Sequence, residues 1–104
     1  AFGLYSTTPP AEGFRYARPQ GEIDAATELR TLVDPYEGPA EVETWTVMYE
    51  RDGSFAGAHA ALLTPDGDRC WGLSKDADLM ARMVVEDLVG APATVAADGT
   101  MSLV

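Results

Sequence analysis

The chain reads as a mainly β domain with short helices. The expected form is a small five-stranded antiparallel barrel of the OB type, with one helix after the third strand and a short N-terminal helix. Three observations predict it. Residues 38–53, GPAEVETWTVMYERDG, are the longest run rich in β-branched and aromatic residues, and glycine closes the run at both ends. Asp52-Gly53, Asp66-Gly67 and Asp98-Gly99 then cut the remaining chain into hairpin-sized pieces. Between those pieces lies one clear amphipathic helical pattern, placed where it could plug an open barrel end.

In chain order, AFGLYSTT makes a short β-prone opening, with Phe2, Leu4 and Thr7 set among Gly3, Tyr5 and Ser6. Pro9-Pro10 stops it, because proline has no amide to donate and restricts the residue before it. The segment from there to Pro19 has turn residues but no period and reads as a linker or arm, with Phe14 and Tyr16 free to pack on a neighbour. From Gln20 to Leu32, Ile23, Ala26, Leu29 and then Val33 recur every three to four residues, opposite Glu22, Asp24 and Glu28. Gly21 and Thr27 predict that this helix is short, and Asp34-Pro35 ends it.

The long strand follows. Alternation puts Val42, Thr44, Thr46 and Met48 on one face and Trp45, Val47 and Tyr49 on the other. Both faces are apolar in the middle, which predicts a strand that curls through a barrel or passes between sheet surfaces. Phe55–Thr64 is the return strand, and its Gly57, Ala58, Ala60 and Ala61 leave room for a bulky ring such as Trp45 or Trp71. Arg69–Leu73 is the third strand of a meander. Ser74 or Asp76 caps the second helix, whose stripe is Leu79, Met80, Met83, Val84 and Leu88, with Gly90 as its C′ stop. Ala93–Ala97 and Thr100–Val104 close the domain as a hairpin.

Composition narrows the function. Seventeen acidic against seven basic side chains give a net charge of −10, which repels nucleic acid and anionic membranes. No apolar run approaches the ~18 residues of a membrane span, and the cytoplasm is the expected setting. With Cys70 as the sole cysteine, neither an intrachain disulfide nor a cysteine-built zinc site can form. The chain begins at Ala1, without methionine and inside a strand-like run, as expected of a piece of something longer.

Few residues could carry chemistry. His59 is the lone histidine, and Cys70 on the facing strand is its one conceivable nucleophilic partner. Such a dyad also needs an oxyanion site and an orienting group, so a structural role is expected for both residues. Glu41/Glu43 share a strand face, whereas Asp66/Asp68 and Asp76/Asp78 sit where turns and helix starts favour Asp. No EF-hand order, phosphate loop or nucleophile elbow occurs, so no catalytic, cofactor-binding or metal-binding residue is expected. Trp45 and Tyr49 have Glu41, Glu43 and Glu50 as neighbours, which suits a core or protein-facing role rather than a nucleic-acid platform. Met80 and Met83 are expected in the core.

Two stretches resemble a known family. AFGLYSTTPPAEGFR is similar to the sequence that follows the Gly-rich closing loop of thiolases. GPAEVETWTVMYERDG, then a hairpin, a helix and the G-x-P-x-x-V-x-x-D-G of residues 90–99, resembles the additional C-terminal domain of thiolase-like type 1 proteins, a group known as acetyl-CoA acetyltransferases. The likeness spans nearly the whole chain, is sharpest over Gly38–Gly53 and weakens from Glu22 to Asp34. It implies that residues 1–18 are the remnant of a thiolase-like last strand plus a linker arm, and that residues 19–104 are an OB-like C-terminal domain. The partner implied is the thiolase-like catalytic domain of the same parent chain, and acyl-CoA through that parent. Cys70, in RCWGL, does not match the thiolase cysteine motif, so no catalytic residue carries over. The chain also looks like the OB part of acyl-CoA-associated proteins that accompany thiolases, but it lacks their four-cysteine zinc ribbon. The expected function is a non-catalytic accessory domain that packs on the catalytic domain or shapes access to its acyl-CoA site. Two alternatives remain open: a module that holds CoA or an acyl chain, for which only Arg15 and Arg18 lie close together, and a protein-interaction or oligomerisation domain.

Overall fold

A strand persists in water only where its backbone groups find a ladder, and five segments of this chain find one. The computed structural model describes residues 2–104. Its elements are α1 (Gln20–Ala26), β1 (Gly38–Tyr49), β2 (Phe55–Leu63), β3 (Arg69–Ser74), α2 (Ala77–Val85), β4 (Pro92–Val95) and β5 (Met101–Leu103). All five strands form one antiparallel sheet in the order β3-β2-β1-β4-β5, with β1 at its centre.

The Asp-Gly turns are where the sequence puts them, with Gly53, Gly67 and Gly99 at φ of 86°, 82° and 83°. Asp52 Oδ1 accepts from the Ser54 amide at 3.0 Å, and Asp98 Oδ1 from the Thr100 amide at 2.9 Å. These short carboxylates close their turns locally, before any tertiary contact is needed.

Strict alternation fails in β1, and the failure explains its two apolar faces. Val42 pairs with Leu62 but Thr44 pairs with Ala61, so Glu43 is the extra residue of a β-bulge. The bulge swings Val42 onto the Trp45 and Val47 side, away from Thr44 and Thr46. The inner face therefore carries Ala40, Val42, Trp45 and Val47, all of them in or packed against the core.

That core lies between the inner face and α2. Leu62, Cys70 and Val95 are its largest fully buried side chains, and α2 adds Leu79, Met80 and Met83. Asp76 is the N-cap of α2, its carboxylate accepting from the amides of Asp78 (2.9 Å) and Leu79 (3.2 Å). Trp45 fastens the other end, its Nε1 donating to the Met83 carbonyl at 2.7 Å.

Four expectations change. The opening AFGLYSTT forms no strand over residues 2–8, since no backbone edge in the chain pairs with it, and Ala1 lies outside the described residues. Helix α1 is short, as expected, but it buries no residue. It ends at Thr27, whose backbone turns extended while its hydroxyl donates to the Ile23 carbonyl at 2.7 Å, so Leu29 stays exposed. Helix α2 stops at Val85, leaving Val84 half-exposed, and Gly90 serves a later turn in which its amide donates to the Val42 carbonyl at 2.8 Å. Finally, the sheet is not closed into a barrel. Strands β3 and β5 meet at one parallel bridge, Leu73 with Thr100, where the Leu73 amide donates to the Gly99 carbonyl at 2.9 Å. Strand β5 is only three residues long, too short to carry a second ladder.

Candidate docking face

The outer face of β1–β2–β3 is read directly from the register. Three rows cross it: Thr46, His59 and Leu73; Thr44, Ala61 and Trp71; and Glu41, Leu63 and Arg69, with the bulged Glu43 bonded to Arg69. Among the described residues no helix covers this side, and α2 occupies the other. Trp71 is 49% exposed here, and Leu73 of the next row is exposed too. Ala61, flanked in register by Thr44 and Trp71, is only 7% exposed although it lies on the open face.

The free edge of β3 is tethered at both ends. At one end the Val33 amide donates to the Arg69 carbonyl (2.9 Å) and the Arg69 amide to the Thr31 carbonyl (2.8 Å); at the other stands the Leu73–Gly99 bond. These tethers bring residues 34–36 and 97–99 alongside Trp71. The resulting cleft, of about 520 Å³, is lined by Asp34, Pro35, Tyr36, His59, Trp71, Leu73 and the 97–99 turn. A second cleft of about 590 Å³ shares His59 and Trp71 and runs along Glu43, Thr44, Trp45, Thr46 and Arg69.

Electrostatically the two clefts differ. In the second, Glu43 accepts from Arg69 Nε and Nη2 at 2.6 and 2.7 Å, and Arg30 Nε lies 3.8 Å from the same carboxylate. These hydrogen bonds from Arg69 hold the Glu43 carboxyl below the usual carboxylate range, and they raise the guanidinium in return. In the first cleft the charged lining is Asp34 and Asp98. Hydrogen bonding from Thr100 keeps the Asp98 carboxyl below its ordinary value. Tyr36 donates its hydroxyl to the Pro39 carbonyl at 2.6 Å, and burial raises its phenol.

The structure separates the residues that might have formed a catalytic pair. His59 is in register with Leu73 on the outer face, whereas Cys70 pairs with Leu62 on the inner face, fully buried, with its thiol raised by burial. No proton can pass between them. Glu43 is engaged by Arg69, Asp76 by its helix, and Asp66 and Asp68 lie in a turn region. Among the described residues, no three His, Cys, Asp or Glu side chains are grouped to hold a metal. Met80 and Met83 are core, as expected, and Tyr49 packs on Phe55 with ring centroids 5.4 Å apart. Arg15 and Arg18 lie on the exposed arm; Arg15 pairs with Glu12, and Arg18 Nε donates to the Tyr16 hydroxyl at 2.8 Å. The aromatic-acidic cleft was not foreseen. Its one sequence signal is a large Trp71 between small Cys70 and Gly72, while Asp34 and Asp98 lie 64 residues apart in the chain.

The fold and face define a mainly β domain with a helix across one sheet surface and an open, partly apolar opposite surface. The sequence profile described as "Thiolase-like protein type 1 additional C-terminal domain" matches residues 20–100, and the chain belongs to that family. Among solved structures it is similar to a monomeric SCP2-thiolase like protein type 1 from Mycobacterium smegmatis, with TM-score 0.65 and 22% identity. That match covers 91% of this chain and 21% of the other, so this chain spans about a fifth of that protein's length. No curated protein matches the chain. No helix among the described residues is long and apolar enough to cross a membrane.

Proposed function

We propose that the chain is the non-catalytic C-terminal accessory domain of a thiolase-like acetyl-CoA acetyltransferase, docked on the catalytic domain of its parent and shaping access to the acyl-CoA site. The observation that carries this reading is the exposure of large apolar side chains along residues 2–32. Phe2, Leu4, Tyr5, Phe14, Tyr16 and Leu29 are all exposed, and the seven-residue α1 buries nothing. A helix that short is unstable alone in water, and each such side chain gains roughly 1.5–3 kcal/mol when covered. Residues 1–18 then read as the end of the catalytic domain plus a linker, and the opening strand finds its missing edge there. The curled sheet, with a helix after β3 and a single β3–β5 bridge, fits an OB-like barrel left open on one side.

The chemistry points the same way. His59 and Cys70 face opposite sides, so these two residues form no nucleophile–base pair. A CoA-holding module would need converging cations, but Asp34 and Asp98 line one cleft and Arg69 in the other is held by Glu43. A net charge of −10 disfavours nucleic acid and anionic membrane, and a lone buried Cys70 suits the cytoplasm.

Two measurements test the proposal. The chain alone should show neither thiolysis nor acetyl transfer with acetyl-CoA, and turnover abolished by His59→Ala or Cys70→Ala would overturn it. Hydrogen exchange should find the α1 amides unprotected in this chain and protected in the parent protein. Equal exchange in both would remove the docking role.

A further inference from the structure

We propose that the cleft between residues 34–36 and the β4–β5 turn is a socket for an arginine side chain presented by the protein on which this domain docks. The assignment of that arginine to the parent's catalytic domain rests on the accessory-domain reading above.

The cleft combines a platform with charge. Trp71 is half-exposed, held by its strand in register with Ala61, and Asp34 and Asp98 line the same space. A guanidinium is flat and weakly hydrated, so it can stack on an indole while its edge N–H groups reach carboxylates. The tethers at Arg69 and Leu73 fix the walls, so the acidic and aromatic groups are organised before a ligand arrives. Asp98 is further locked by the Thr100 amide and is ionised across the neutral range.

The chain's own nearby arginines are committed elsewhere. Arg30 and Arg69 both approach Glu43, on the neighbouring cleft. A phosphate-bearing ligand would meet two carboxylates at this site, whereas a cation meets their attraction and that of a protein carrying −10. With about 520 Å³ available, a side chain of arginine's length fits. Electrostatic complementarity of this kind fixes the register of docking more than its overall strength.

The test uses this chain labelled with ¹⁵N and titrated with N-acetyl-arginine amide, with N-acetyl-citrulline amide as the neutral isostere. The Trp71 indole N–H resonance should shift saturably with arginine and not with citrulline. The Trp45 indole, bonded to the Met83 carbonyl on the inner face, should stay still and serve as the internal control. Asp34→Asn and Asp98→Asn should each weaken binding roughly threefold, the size expected of one exposed charge pair. The side-chain carbonyl that Asp98→Asn introduces can still accept from the Thr100 amide, so the turn survives that change. In Trp71→Ala, the Gly99 amide should lose its response. Equal response to citrulline, equal movement of Trp45, or unchanged binding in the Asp34→Asn/Asp98→Asn variant would overturn the socket. If the titration fails while the α1 amides are protected in the parent, the socket alone is lost. If the α1 amides exchange freely in the parent, the accessory reading falls, and with it the parent as source of the arginine.

Discussion

Replacing Trp45 with phenylalanine removes one hydrogen bond and little apolar volume, so it isolates how α2 is fastened to the sheet. The indole Nε1 donates to the Met83 carbonyl at 2.7 Å, and Met83 lies in the last turn of α2, where carbonyls have no helical partner. Losing an ordinary hydrogen bond costs about 0.5–1.5 kcal/mol, and up to ~3 kcal/mol if the carbonyl is left buried and unpaired. Met83 is 4% exposed, which favours the upper half of that range. Trp45→Ala also deletes the ring, for which ~3–5 kcal/mol is usual in a core; Trp45 is only part-buried, so the lower end applies. Urea unfolding followed by far-UV circular dichroism reads both variants. Melting should fall by about 4–8 °C per kcal/mol in a domain of this size. A phenylalanine variant as stable as the wild type would refute the fastening, and a near-neutral alanine variant would move Trp45 from the core to a docking surface.

Three further outcomes are expected. A Cβ at Gly72 would lie 2.8 Å from both Leu62 Cδ1 and Met101 Cβ, so Gly72→Ala should destabilise by roughly 1–3 kcal/mol; unchanged urea stability would mean that β3 and β5 are not closely apposed. Hydrogen bonds from Arg69 lower the Glu43 carboxyl, so its stabilisation is present at neutral pH and fades as pH falls through that depressed value. The stability gap between wild type and Glu43→Gln should therefore close in acid, and a gap that persists at pH 2 would contradict the bidentate pair. Cys70 is fully buried with a raised thiol, so a disulfide reagent at pH 8 should label it only in denaturant; rapid labelling of the folded chain would place it on the surface.

What can be read from the residues is what local chemistry decides. The Asp-Gly turns and the Asp76 cap satisfy their own backbones within a few residues, so the strand boundaries around them agree within a residue or two. Small Ala60 and Ala61 opposite Trp45 and Trp71 are also legible, because alternation and hairpin register follow from turn length. What escapes depends on distant groups. Nothing near Glu43 announces a bulge, since its Arg69 partner lies 26 residues on. The bond from Trp45 to Met83 spans 38 residues. The early end of α2 is hidden because Leu88 does reach the core, from a turn instead of from the helix. The opening strand misleads because β propensity needs an edge, and this chain offers none to residues 2–8.

The Glu43 bulge also sets how the central strand tolerates changes of length. Deleting that single residue would restore strict alternation and leave both halves of β1 on the faces they now occupy, because Val42, opposite Leu62, would then directly precede Thr44, opposite Ala61. A one-residue insertion into either regularly paired half would instead turn Trp45 and Val47 outward or take Ala40 and Val42 out of the core. The wider consequence is that β1 behaves as two short strands spliced out of phase. Its first half, paired with β4, and its second half, paired only with β2, can be lengthened or shortened independently only in steps of two residues.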